Sequence, residues 1–243
     1  MKNRIGGIIF DLDGTLIDSA RSLQQILNDL LARKHIRSLS LDEVKGTVGD
    51  GLRMTLDRAC ALANAGFSES ERDRLFDEFL AAHDQHKNTP DLLYPHVGET
   101  LQGLRKAGVK TALCPHKLMQ ATTHILDELA LHPLFDVVTG GDSFSERKPS
   151  AIPLLGVIKQ LALTPETTVM VGDSQNDIKA AKAANIKSIA VSYGYAPDVH
   201  ALGADLVISS LAELSGALEQ IGFCGIPQVS SREASLSTLK KAC

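Results

Sequence analysis

The stretch Ile8-Ile9-Phe10-Asp11-Leu12-Asp13-Gly14-Thr15-Leu16-Ile17-Asp18-Ser19 decides how the rest of this chain is read. An apolar run stops at two aspartates one residue apart, followed by Gly-Thr. Residues i and i+2 of an extended strand point to the same side, so Asp11 and Asp13 are expected to project together from the strand's carboxyl end. Two carboxylates that close need a cation or a shared proton. Ligands made of oxygen alone suit a hard ion such as Mg2+. A plain strand followed by an acidic turn would use the same residue types, and the rest of the chain chooses between the two.

A second apolar run, Val169-Met170-Val171, stops in the same way at Gly172-Asp173, and Ser174-Gln175-Asn176-Asp177 opens a helical pattern. Between the two acidic sites lies Arg147-Lys148-Pro149, a cation just before a helix start. Ligands of open α/β sheets bind at the carboxyl ends of strands. Asp11, Pro115-His116, Lys148 and Asp173 each follow an apolar run or open a helix near that edge, so four distant segments are expected to converge on one rim.

Short β-branched runs recur at 5–10, 110–114, 136–139, 168–171, 188–191 and 205–208, with helical patterns at 100–106, 118–129, 151–161 and 177–184. Strands alternating with helices imply a parallel, doubly wound sheet of the α/β class. Gly108 and Asn185 stand where a left-handed residue would end a helix. From 19 to 91 the alternation lapses into helical patterns at 22–33, 41–62 and 69–86. The second is interrupted at Val48-Gly49-Asp50-Gly51, where two glycines two apart favour a turn.

At 243 residues the chain holds a core of ordinary size plus a smaller unit. A net charge of −4, no basic run, and no tryptophan beside seven phenylalanines and three tyrosines argue against nucleic acid as principal partner. A small anionic substrate is compatible with that balance. Cys60, Cys114, Cys224 and Cys243 form no C-x-x-C pair, which argues against a zinc site or a disulfide framework. No apolar run is long enough to span a membrane and none resembles a signal peptide, so a cytoplasmic location is expected.

The three charged segments, in this order, resemble those of the haloacid dehalogenase-like superfamily, specifically its aspartate-nucleophile phosphatases. The resemblance runs from about Ile5 to Ile221. It implies a Rossmann-like core at 1–17 and 93–222, an inserted all-helical cap domain at 18–92, and a tail at 223–243, in which Ser230 and Glu233 suggest a short capped helix or an extension. By the same resemblance Asp11 is the nucleophile, Asp13 the acid and base, and Lys148 the cation that binds the phosphoryl group and keeps Asp11 ionised. Asp11, the carbonyl of Asp13, and Asp173 would hold Mg2+. Asp177 would orient metal-bound water or Lys148, although a carboxylate in a first helical turn has its own reason to be there. Asp13 separates the chain from the dehalogenase branch.

The second motif departs from the pattern. Relatives carry Thr or Ser after the second strand, often as Thr-Asn-Lys, whereas this chain reads Cys114-Pro115-His116-Lys117. Pro115 then replaces the hydroxyl residue and lacks an N–H. The amide of His116, or its imidazolium, is a candidate replacement contact to substrate. In the insert, Val48-Gly49-Asp50-Gly51-Leu52-Arg53 resembles a segment of phosphoglycolate phosphatases, which makes Gly49, Gly51 and Arg53 candidate contacts to a substrate carboxylate. Tyr94-Pro95 and Ser192-Tyr193-Gly194-Tyr195 share that likeness without evident chemistry.

The resulting expectation is a Mg2+-dependent phosphatase acting on a small phosphomonoester through an aspartyl-phosphate, as monomer or homodimer. A phosphosugar mutase of the same superfamily and an impaired phosphate-binding protein, the latter on the strength of Pro115, are the alternatives.

Overall fold

The computed structural model describes residues 3–225; Ser230, Glu233 and the remainder of the expected tail lie outside the described residues. Strand β1 (Asn3–Arg4) leads into β2 (Gly7–Phe10). Then come helices α1 (Ala20–Arg33), α2 (Leu41–Lys45), α3 (Leu52–Leu62) and α4 (Glu69–Gln85). The remainder alternates: α5 (Val97–Lys106), β3 (Lys110–Leu113), α6 (Met119–Glu128), β4 (Val137–Val138), α7 (Ile152–Gln160), β5 (Thr168–Gly172), α8 (Gln175–Ala183), β6 (Lys187–Val191), β7 (Leu206–Ile208), α9 (Leu214–Gln220) and β8 (Phe223–Cys224).

Six strands form one sheet in the order β4-β3-β2-β5-β6-β7, every pairing parallel. Counted from β2 this is the 3-2-1-4-5-6 order of a Rossmann sheet, whose order reverses at its first strand. Strand β2 is that switch point, flanked by β3 and β5 with Phe10 level with Leu113 and with Val171. The strands are buried on both faces, and the period of two assigns each face its own core. Ile8, Phe10, Val169 and Val171 pack with α5, α6 and α9, whereas Ile9, Ala112 and Met170 pack with α7 and α8. Two short strands escaped the sequence reading: β1 pairs parallel with β8, joining Asn3 to Phe223.

Helices α1 to α4 build a hydrophobic cluster of their own from Leu23, Leu27, Leu31, Val44, Leu56, Leu75 and Phe79, with Leu39 of the chain between α1 and α2. Capping boxes open α2 and α4 at Ser40 with Glu43 and at Ser68 with Glu71, each satisfying two otherwise unpaired amides. The expected interruption of the second helical pattern is real: α2 ends at Lys45 and α3 begins at Leu52. Gly49 and Gly51 between them have φ of 126° and 90°, a region that L side chains avoid. The chain enters and leaves this insert on adjacent paths, for Asp18 donates to Leu92 O and Tyr94 to Leu16 O, at 2.8 and 3.0 Å. Gly108 and Asn185 do adopt positive φ, at 73° and 56°.

Phe79 is fully buried in the insert's cluster. Phe79→Ala is expected to lower stability by roughly 3–5 kcal/mol, measured as a reduced urea midpoint with far-UV circular dichroism of the sheet retained before the transition.

Candidate active site

Strand β2 ends at Phe10, and the amide of Asp11 still bonds to Val171 O at 3.0 Å, so Asp11 sits on the carboxyl edge between β3 and β5. The backbone then turns. Leu12 O accepts from the amides of Thr15, Leu16 and Ile17, and Gly14 adopts φ 83°. A Cβ on Gly14 would collide with the carboxylate of Asp173, so a glycine is what lets the first acidic turn approach the second.

Asp173 follows β5 directly. Its Oδ2 accepts from the Tyr195 amide at 2.7 Å and its Oδ1 from Thr15 Oγ1 at 3.4 Å. Four residues on, Asp177 lies in the first turn of α8. Its Oδ2 closes a capping box with the Ser174 hydroxyl and amide, at 2.6 and 3.1 Å. Its Oδ1 accepts from Lys148 Nζ at 2.6 Å, and the same ammonium donates to Asp11 Oδ1 at 2.8 Å. Lys148 is 3% exposed, far from the ordinary solvated state of a lysine.

Asp11, Asp173 and Asp177 each offer a carboxylate oxygen within 4.8 Å of the others. Three buried carboxylates facing one ammonium leave uncompensated negative charge. Burial, with Asp177 and Asp13 nearby, pushes Asp11 up to about 7 even though Lys148 opposes the shift. Burial with Asp11 and Asp177 likewise raises Asp173 well above the usual carboxylate range. Burial opposes the charge of Lys148, but Asp11 and Asp177 outweigh it and raise its pKa. This all-oxygen donor set in a cation-deficient cluster fits a hard divalent ion.

Asp13 faces elsewhere. Its Oδ1 accepts from Ser19 Oγ at 2.5 Å and pairs with Lys117 Nζ at 3.3 Å. The two aspartates are therefore neighbours with separate cations, Lys148 for Asp11 and Lys117 for Asp13. Lys117 was not assigned a role from sequence, although it holds the third position of the segment likened to Thr-Asn-Lys. Its side chain is 5% exposed.

Pro115 is buried beside the amide of Cys114, which bonds to Phe10 O at 2.8 Å. His116 lies half-buried with its Nε2 enclosed and unpartnered among the described residues. Burial and Lys148 hold this imidazole down at about 4, against pulls from Asp177 and Asp50. This environment disfavours the imidazolium form of the ring. His83 of α4 is held at about 4 in the same manner, by burial and then Lys117, with Asp13 acting the other way.

The turn at Gly49 and Gly51 reaches the core through the residue between them. Asp50 Oδ1 accepts from Asn176 Nδ2 of α8 at 2.7 Å, and Asp50 Oδ2 pairs with Arg58. Gly51 lies near Arg147. Arg53 has its guanidinium engaged by Asp57 at 3.3 Å and Asp73 at 2.7 Å, over the ring of Phe76. Its charge is already matched by these two carboxylates of the insert.

With this geometry in view, a family model described as haloacid dehalogenase-like hydrolase matches residues 8–191. The chain belongs to the haloacid dehalogenase-like hydrolases. It is 37% identical over 212 residues to a phosphoglycolate phosphatase of Agrobacterium fabrum, spanning 86% of this chain and 91% of that one. It is 35% identical to a phosphoglycolate phosphatase of Chromobacterium violaceum, spanning 86% and 95%. Among solved structures, a predicted phosphoglycolate phosphatase from Haemophilus somnus superposes with a TM-score of 0.82 at 29% identity, covering 88% of this chain and 97% of that chain. A β-phosphoglucomutase from Clostridium difficile shares the fold, with a TM-score of 0.67 at 23% identity and coverage of 89% and 96%. No helix among the described residues is long and apolar enough to cross a membrane.

The direction of the Asp11 shift carries a stability consequence. A carboxyl raised from 3.8 to about 7 binds more protons folded than unfolded, so its contribution falls as pH rises across that interval. His83 and His116, lowered from 6.5 to about 4, act oppositely over that lower window, so the comparison must be with a variant. In excess chelator, wild-type protein is expected to lose thermal stability relative to Asp11→Asn as pH rises from 5 to 7.5. Scanning calorimetry of both proteins across the series measures that difference.

Proposed function

We propose that this chain is a Mg2+-dependent phosphomonoesterase that acts on a small anionic ester such as phosphoglycolate through an aspartyl-phosphate on Asp11. The observation that carries this reading is the buried ammonium of Lys148 shared between Asp11 and Asp177 at 2.8 and 2.6 Å. A lysine so placed favours the ionised form of a buried carboxylate and presents positive charge where phosphoryl oxygens arrive. Kinship with phosphoglycolate phosphatases supports the substrate class.

Asp11, Asp173 and the carbonyl of Asp13 are proposed to hold the ion, with Asp177 fixing Lys148 beside them. Once bound, Mg2+ offsets the repulsion between carboxylates and phosphate that otherwise hinders attack. Asp11 Oδ forms a bond to phosphorus as the bond from phosphorus to the ester oxygen breaks, and Asp13 gives its proton to the departing alkoxide. Asp13 then takes a proton from water as that water attacks the acyl phosphate, returning Asp11 as carboxylate and releasing inorganic phosphate. Lys117 and Ser19, both bonded to Asp13 Oδ1, hold its carboxyl in place. His116 follows Pro115 in the second motif, and its main-chain amide is the proposed donor to a substrate oxygen. The insert, attached at residues 18–92, excludes bulk water and selects the leaving group.

Asp11→Asn is expected to reduce phosphate release from phosphoglycolate in Mg2+ by about 10³-fold or more, assayed as inorganic phosphate. No metal-dependent release by wild type from any small ester would refute the reading. A hexose 1-phosphate converted to its isomer, with little phosphate freed, would replace it with a mutase. Pro115→Thr restores a hydroxyl and an amide, and kcat is expected to rise by roughly tenfold or more by analogy with single transition-state donors.

A further inference from the structure

Ser19 does not do what its position asks of it. It is the N-cap of α1, where a serine side chain ordinarily accepts from first-turn amides, yet it makes no such bond. Its hydroxyl donates to Asp13 Oδ1 at 2.5 Å instead. The amide of Ala20, the first of the helix, is satisfied from across the molecule by the phenol oxygen of Tyr195 at 3.1 Å. That phenol donates to Asp18 Oδ1 at 3.1 Å and lies 3.5 Å from Ser19 Oγ. The backbone of the same tyrosine donates to Asp173 Oδ2 at 2.7 Å. Next to it, Tyr193 donates to Thr15 O at 2.8 Å and packs its ring on Tyr94 of the return linker, centroids 4.4 Å apart.

We propose that Tyr195 is a positioning residue: by holding Asp18 and the Ala20 amide on either side of Ser19, it fixes the Ser19 hydroxyl where it aims Asp13 at the leaving oxygen. The proposal rests on the role of Asp13 put forward above. A phenol suits the task because its oxygen accepts from the Ala20 amide while its hydrogen goes to Asp18. Phenylalanine keeps the ring and the backbone bond to Asp173 and loses both of those contacts. The Asp18–Ala20 turn is then no longer held from across the fold, the Ser19 hydroxyl it carries shifts, and Asp13 loses a donor.

The test compares wild type, Tyr195→Phe, Ser19→Ala and Asp13→Asn on two esters, phosphoglycolate and p-nitrophenyl phosphate. The kcat/KM value reports events up to departure of the leaving group, where an alkoxide needs a proton and nitrophenolate does not. A misaimed Asp13 is expected to lower kcat/KM for phosphoglycolate by about tenfold or more, and that for p-nitrophenyl phosphate by less than about threefold. Both Tyr195→Phe and Ser19→Ala should show this split. Hydrogen exchange at the Ala20 amide should accelerate in Tyr195→Phe only, a readout independent of turnover. Equal losses on both esters, or faster exchange at Ala20 with unchanged leaving-group dependence, would overturn the proposal. Asp13→Asn separates the two layers. If it shows the split and Tyr195→Phe does not, the tyrosine's role alone fails. If Asp13→Asn shows no split, or wild type turns over neither ester, the assignment of Asp13 fails and the proposal with it.

Discussion

The site is organised by one ammonium. Lys148 is buried among carboxylates, and removing a charge from water in this way is tolerated only when partners surround it. Its two bonds join the end of β2 to the start of α8. Its loop is braced in turn: the Gly141 amide donates to Lys117 O at 2.7 Å and Arg147 Nε to Gly141 O at 2.9 Å. The loops that follow β3 and β4 therefore arrive as one unit, and Lys117 and Lys148 reach their respective aspartates from it. Asp177 takes part in two structures at once, closing the capping box of α8 with one oxygen and anchoring the lysine with the other. A helix start and the cation that meets Asp11 are set by a single side chain.

Environment divides the labour between two aspartates one residue apart. Asp11 lies in the buried cluster with Asp173 and Asp177 and is driven toward protonation by burial, against the pull of Lys148. Asp13 lies on the rim, partly exposed, between a serine hydroxyl and a second lysine. Placing like groups in unlike surroundings is a general way to give them unlike roles. Here Gly14 makes the division possible by admitting Asp173 close behind the turn.

Much of the fold was legible because the main strands are apolar runs and the longer helices have an amphipathic period. What escaped was short or weakly periodic. Strands β1 and β8 span two residues each and owe their existence to each other, and α9 covers only seven residues. The gathering of Asp11, Lys148 and Asp173 at one edge was legible for a different reason, since each is tied to the end of a strand or the start of a helix. Tyr195 and Asn176 were not, because their partners lie across the fold: Tyr195 reaches Ala20 over 175 positions and Asn176 reaches Asp50 over 126. Arg53 shows the converse. Its motif spacing is suggestive, but the neighbours that claim its charge, Asp57 and Asp73, come from helix geometry and from packing of α3 on α4.

The two connections of the helical insert run side by side, bonded to each other and bridged between Ile17 and Leu93. An excursion that departs and returns through the same gap places no demand on the sheet beyond that gap. The insert's apolar cluster is likewise built without residues of the sheet. The helices can therefore be exchanged for a bundle of another size or specificity while the catalytic floor stays intact, provided that the graft keeps residues 17–20 and 93–94 and a partner for Asn176 in place of Asp50. The seam, rather than the module, is the part this architecture has to preserve.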